Sequence, residues 1–96
     1  MASESILKQK SLEFAKRIVH LYGYLTKEYR ETVMSKQILR SGTSIGANIA
    51  EALYGSSRKD FAAKLQIARK EASETAYWLE LLSMLTASIK TCETEK

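Results

Sequence analysis

Proline is absent from the 96-residue chain, and glycine occurs four times, at Gly23, Gly42, Gly46 and Gly55. A sequence so poor in breakers leaves long helices uninterrupted and argues against a fold built on tight turns. One cysteine, Cys92, excludes an internal disulfide, and one histidine, His20, leaves no zinc-binding cluster. No apolar run reaches the roughly 18 residues of a membrane span, and the start MASESILKQK lacks the apolar core of a signal peptide. The expectation is a cytoplasmic protein with no membrane role, no metal and no cofactor. Hydrophobic residues at 45% are too many for a disordered chain, while charged residues at 27% keep the surface soluble. The length predicts one domain spanning residues 1–96, too small for a large core of its own.

Charge is uneven along the chain. The net charge is +4, and Lys8, Lys10, Lys16, Arg17, Lys27, Arg30, Lys36 and Arg40 outnumber Glu4, Glu13, Glu28 and Glu31 in the first forty positions. A basic half of this kind draws phosphate backbones by counterion release, although solvated helix faces carry similar surpluses.

Periodicity predicts three helical segments. Leu7, Phe14, Ile18, Leu21 and Leu25 recur at helical spacing, giving a helix from about Ser5 to Arg30. Thr32 is the expected cap of a second helix, Val33 to Tyr54, carrying Ile38, Gly42, Ile45, Ile49 and Leu53 and stopped by a left-handed Gly55. Ser57 and Asp60 have capping-box spacing, so a third helix begins at Arg58. Its stripe of Phe61, Leu65, Ala68, Ala72, Ala76, Leu79 and Leu82 continues through Leu85, Ile89 and Cys92 with no breaker after Gly55. A continuous helix of more than thirty residues is favoured over a turn near Ser83 and a short returning helix. A helix that long outreaches its partners, which predicts oligomerisation.

The densest pattern is RSGTSIGANIAE, Arg40 to Glu51. Gly42, Gly46 and Ala50 share one helical face, a packing surface for another backbone. Arg40, Ser44, Asn48 and Glu51 form a neighbouring polar stripe. One reading is a hydrogen-bond network fixing helix register, with Asn48 satisfying backbone groups and Glu51 paired to an arginine. The other has Arg40, with Lys36, gripping phosphate. No catalytic constellation emerges: Ser41 and Ser44 lack a hydrolase elbow, Glu71 and Glu74 read as surface ion-pair partners, and Ala47 stands where a phosphate loop needs lysine. Tyr22, Tyr24, Tyr29, Tyr54, Tyr77 and Trp78 are available for base stacking, but aromatics at helical spacing read first as core. Tyr77 and Trp78 are adjacent, so only one of them points fully inward.

At SKQILRSGTSIGANIAEA (Ser35 to Ala52) and DFAAKLQIARKEASETAYWLELL (Asp60 to Leu82), together with FAKRIVHLYGYL in the first helix, the chain resembles the bacterial four-helix-bundle proteins related to the 23S ribosomal RNA intervening-sequence protein. The core of that likeness is Ser44, Ile45, Ala47, Asn48, Ile49 and Glu51. The resemblance implies an all-α antiparallel helical bundle assembling as a ring-like homopentamer. It also implies distant kinship with the accessory variability determinant of diversity-generating retroelements, a basic bundle that works with nucleic acid. The chain departs from the pattern after Leu82: roughly twenty residues of the usual loop and short helix are missing, so the last two helices are expected to be fused or the fourth shortened. The expected function is that of a non-enzymatic oligomeric scaffold contacting RNA or DNA through Lys10, Lys16, Arg17, Lys36 and Arg40. Gly42, Ser44, Gly46, Asn48, Ala50 and Glu51 serve packing. The alternative is an adaptor whose bundle binds a protein partner.

Overall fold

The computed structural model describes the backbone of residues 2–55 and 57–95, and the side chains of residues 6–55 and 57–88. It contains three helices in order, α1 (Ala2–Glu28), α2 (Val33–Leu53) and α3 (Arg58–Glu95). The helical class and the uninterrupted third helix agree with the sequence pattern. The count does not reach four, because nothing between Arg58 and Glu95 ends the helix.

The antiparallel course follows from paired positions. Ile18 meets Gly42 and Ser11 meets Gly46, so α1 and α2 run in opposite directions. Ser41 meets Thr75 and Glu51 meets Lys64, which sets α3 antiparallel to α2. The middle helix packs on both others, whereas α1 and α3 nowhere approach each other within 8 Å between Cα atoms among the described residues. The three helices thus occupy three corners of a bundle cross-section, with the corner diagonal to α2 open. The molecule measures 59 × 21 × 19 Å along its principal axes. Its length is set by α3, whose 38 residues rise about 57 Å at 1.5 Å each.

The core is small: Ile18, Leu25, Ile38, Ile49, Ala52 and Ala68 are its buried hydrophobic residues. Buried beside them are Ser11, Ser35, Ser41 and Thr75. Leu7, expected in the first stripe, is 41% exposed. On α3 the inward stripe runs through Ala68 and Thr75, while Ala72 and Ala76 face solvent. Thr75 takes a place predicted for alanine because its hydroxyl is satisfied on the spot, donating to the Glu71 carbonyl at 2.7 Å and hydrogen-bonded to the Ser41 hydroxyl at 2.8 Å.

The two connections depart from expectation in instructive ways. Thr32 stands at the N-cap position of α2 but its side chain makes no capping bond. The carboxylate of Glu31 caps instead, with Oε1 accepting from the Val33 and Met34 N–H groups at 3.0 and 2.8 Å and Oε2 from Ser35 N–H at 2.7 Å. A carboxylate matches the positive end of the helix dipole better than a hydroxyl does. The buried Ser35 hydroxyl closes the arrangement by donating to the Glu31 carbonyl at 2.7 Å. Gly55 is not left-handed. The only positive φ outside glycine belongs to Arg30, at 52°, and no glycine has one among the described residues. Arg30 turns the chain out of α1 while Glu31 N–H returns to the Leu25 carbonyl at 3.1 Å. At the start of α3 the expected cap is present: Ser57 Oγ accepts from Asp60 N–H at 3.1 Å.

Candidate functional site

The α2 segment from Arg40 to Glu51 has two working faces, and each meets a different helix. On the first, a Cβ built at Gly42 would lie 2.9 Å from both Cγ1 and Cγ2 of Ile18, and one at Gly46 would lie 3.3 Å from Ser11 Oγ. These glycines are packing positions, since the α1 side chains occupy the space a larger residue would need. Ala50 is half-buried along the same helix.

The polar stripe meets α3 instead. Arg40 bonds two carboxylates, Glu71 through Nη1 at 3.3 Å and Glu74 through Nη2. Glu74 Oε2 also accepts from the indole N–H of Trp78 at 3.0 Å. The guanidinium of Arg40, then the Trp78 donor, hold the Glu74 carboxyl below the usual carboxylate range despite partial desolvation, and Glu74 raises the Arg40 guanidinium in return. Glu51 pairs with Lys64 at 2.9 Å, not with an arginine. Asn48 donates to the Ser44 carbonyl at 2.8 Å, within α2, and Ser44 donates to the Arg40 carbonyl at 2.6 Å. The register between α2 and α3 is therefore fixed by Arg40, Ser41 and Glu51 and not by Asn48.

Glu71, Glu74 and Trp78 belong to this cluster and were missed as partners of Arg40. Their spacings of three and four positions place them on one α3 face, and that signal was present. What a single sequence withholds is the offset between α2 and α3 that brings Arg40 to them.

Of the expected cation set, Lys10, Lys16, Arg17 and Lys36 are exposed, and none has a carboxylate partner among the described residues. They do not form one patch. Lys10 and Arg17 are seven positions apart and share a face of α1, Lys16 is rotated about 100° from Arg17, and Lys36 stands on α2. Arg40 is set apart from them, because its half-exposed guanidinium is paired with two carboxylates.

Five of the six tyrosine and tryptophan rings are engaged with one another or with a cation. Tyr24 and Tyr29 meet edge-on at 5.5 Å, Tyr77 and Trp78 at 5.3 Å, and Lys8 Nζ stands 5.6 Å from the centre of the Tyr54 ring. Trp78 is the inward member of its pair and Tyr77 is 59% exposed. An open, mainly apolar groove of about 480 Å³ lies between α1 and α3, lined by Leu21, Leu79, Leu82, Ser83, Thr86 and Ala87. Among the described residues no group of three or more His, Cys, Asp or Glu side chains could hold a metal ion. No helix among them is long and apolar enough to cross a membrane.

The glycine face against α1 and the α2–α3 lock sit within a chain whose residues 3–93 match the family model described as 23S rRNA-intervening sequence protein. The chain belongs to that family. A crystal structure with a similar fold is that of a protein of unknown function from the S23 ribosomal protein family of Bacteroides thetaiotaomicron VPI-5482, with a TM-score of 0.84 and 65% sequence identity. The match covers 85% of this chain and 73% of that one. None of the curated proteins compared with the chain matches it.

Proposed function

We propose that this intervening-sequence family member is a non-enzymatic, homo-oligomeric helical scaffold that contacts RNA or DNA through the cations of α1, with Lys36 contributing from α2. The observation that supports this reading is the state of those cations: Lys10, Lys16 and Arg17 are exposed and without carboxylate partners among the described residues. Unpaired cations on a rigid helix can neutralise phosphates at little cost in ordering, and each phosphate neutralised releases counterions. The other concentration of polar groups, Arg40 with Glu71, Glu74 and Trp78, is internally compensated and serves the helix pair. Arg40 therefore leaves the contact set.

Titrating the binding of a labelled RNA and a labelled DNA duplex against salt tests the reading. Log affinity is expected to fall linearly with log salt, and Lys16→Ala is expected to reduce the slope by about one. Arg40→Ala is expected to leave the slope unchanged while lowering stability. Absence of binding at low salt and micromolar protein rejects the nucleic-acid role. In that event, recovery of one nuclease-resistant protein partner would support an adaptor instead.

A further inference from the structure

The charges in the middle of α3 balance in sequence but not in space. Arg69 and Lys70 are followed by Glu71 and Glu74, and the run reads as neutral. The fold separates the two signs. Glu71 and Glu74 are engaged on the α2 side, where both bond Arg40 and Glu74 also accepts from the indole N–H of Trp78. Arg69 and Lys70 are exposed, with no carboxylate partner among the described residues. Helical spacing explains why: no acidic residue lies one turn from Arg69, and the one that lies a turn from Lys70 is Glu74, already taken. Together with Gln66 and Ser73, these cations line an open concavity of about 260 Å³ on the outside of α3. Gln66, Lys70, Ser73 and Tyr77 recur at steps of four, three and four, so Tyr77 lies on the same strip, about 16 Å along the helix from Gln66. The tyrosine is 59% exposed, and its edge-on contact with Trp78 covers at most one face of the ring.

We infer that this strip of α3 binds a single-stranded segment of nucleic acid, with phosphates at Arg69 and Lys70 and an unpaired base stacked on Tyr77. The chemistry matches along its length. Arg69 offers a forked donor to phosphate oxygens and Lys70 a point charge, while the Gln66 amide and the Ser73 hydroxyl add neutral donors beside them. Tyr77 selects for single strands: paired bases are stacked on one another and show it no face, whereas an unpaired base has one free. Glu80, exposed three positions beyond Tyr77, ends the strip with a charge that repels phosphate. A protein partner fits less well. The strip holds no large aliphatic side chain, and lysine is depleted at the centres of protein interfaces. The site rests on the nucleic-acid half of the proposed function, and adds to the α1 cations a surface that tells single strands from duplex.

Labelled single-stranded RNA and DNA of one sequence, and the duplex of that sequence, titrated with the full-length protein at several salt concentrations, test the site. The unaltered chain is expected to bind the single strands more tightly than the duplex. Arg69→Ala and Lys70→Ala are each expected to weaken single-strand binding and to make the salt slope shallower by about 0.7, the share of one phosphate. Tyr77→Ala is expected to weaken single-strand binding about tenfold or more at an unchanged slope, because a stack is lost and not a charge. Tyr77→Phe keeps the ring and is expected to bind as the unaltered chain does. All three positions lie outside the core, and thermal melting verifies that each variant is folded. Single-strand binding that the three alanine variants leave unchanged in affinity and slope overturns the α3 site and leaves the α1 reading standing. Preference for duplex, or a Tyr77→Ala loss equal for duplex and single strand, overturns it as well. No binding of any form at low salt overturns both, in favour of the adaptor.

Discussion

Gly42 and Ile18 are in contact so close that any side chain at position 42 would collide with both γ-carbons of the isoleucine, each 2.9 Å from the Cβ position. Isoleucine is stiff at χ1, so the collision falls on the near part of a side chain that cannot swing away. Gly42→Ala is expected to lower stability by about 1 kcal/mol or more, overpacking of about 1–3 kcal/mol outweighing a gain in helix propensity of about 1 kcal/mol. Gly23→Ala is the matched control, with nothing within 4 Å of its Cβ position, and is expected to raise stability by about 1 kcal/mol. Thermal unfolding at one fixed protein concentration reads both, with melting temperatures moving in opposite directions.

Arg30 adopts a conformation that glycine enters freely and side-chain-bearing residues enter at a cost. Arg30→Gly is therefore expected to stabilise the α1–α2 connection by about 0.5–1 kcal/mol, seen as a higher denaturant midpoint with unchanged slope. A loss of stability would show that the arginine side chain has a structural role of its own.

Glu31 is desolvated, which on its own would raise its pKa, but hydrogen bonds from Met34, Ser35 and Val33 prevail and hold the carboxyl below its ordinary value. A folded pKa below the unfolded one stabilises the protein above the unfolded value of about 4.3, and the contribution is lost as pH falls through the folded pKa. Glu31→Gln is expected to cost about 0.5–2 kcal/mol at neutral pH. It is also expected to flatten the dependence of stability on pH below about 4.3. Urea melts from neutral to acidic pH, compared with the unaltered chain, measure both effects.

Ser41 and Thr75 are buried at 0% and 1% exposure and bonded to each other across α2 and α3. Ser41→Ala leaves Thr75 its Glu71 carbonyl and is expected to cost about 1 kcal/mol. Thr75→Val removes the serine's cross-helix partner and is expected to cost about 1–3 kcal/mol. The double variant is expected to cost less than the sum of the two, by about 0.5 kcal/mol or more. Strict additivity would mean that the two hydroxyls do not act as a pair.

Much of this fold is legible in the chain because its signals are local. The lack of breakers after Gly55 gave α3 its continuity, Ser57 three positions before Asp60 gave its start, and the four-residue recurrence of Gly42, Gly46 and Ala50 gave the α1-facing surface. The misses involve two elements or a competition between neighbours. Thr32 is a good cap by type, yet Glu31 beside it reaches three N–H groups at once. Thr75 is polar and was passed over for the core, because the partner that makes its burial tolerable lies 34 positions away. Arg40 reads as a free cation until the offset of α2 against α3 sets Glu71 and Glu74 before it.

The middle position of α2 also shapes how the chain folds. Among the described residues each helix interface joins elements consecutive in sequence, and the first and last helices make no close backbone approach. No distant loop must close before stabilising contacts form, so contact order is low and folding of the three helices is expected within microseconds to milliseconds.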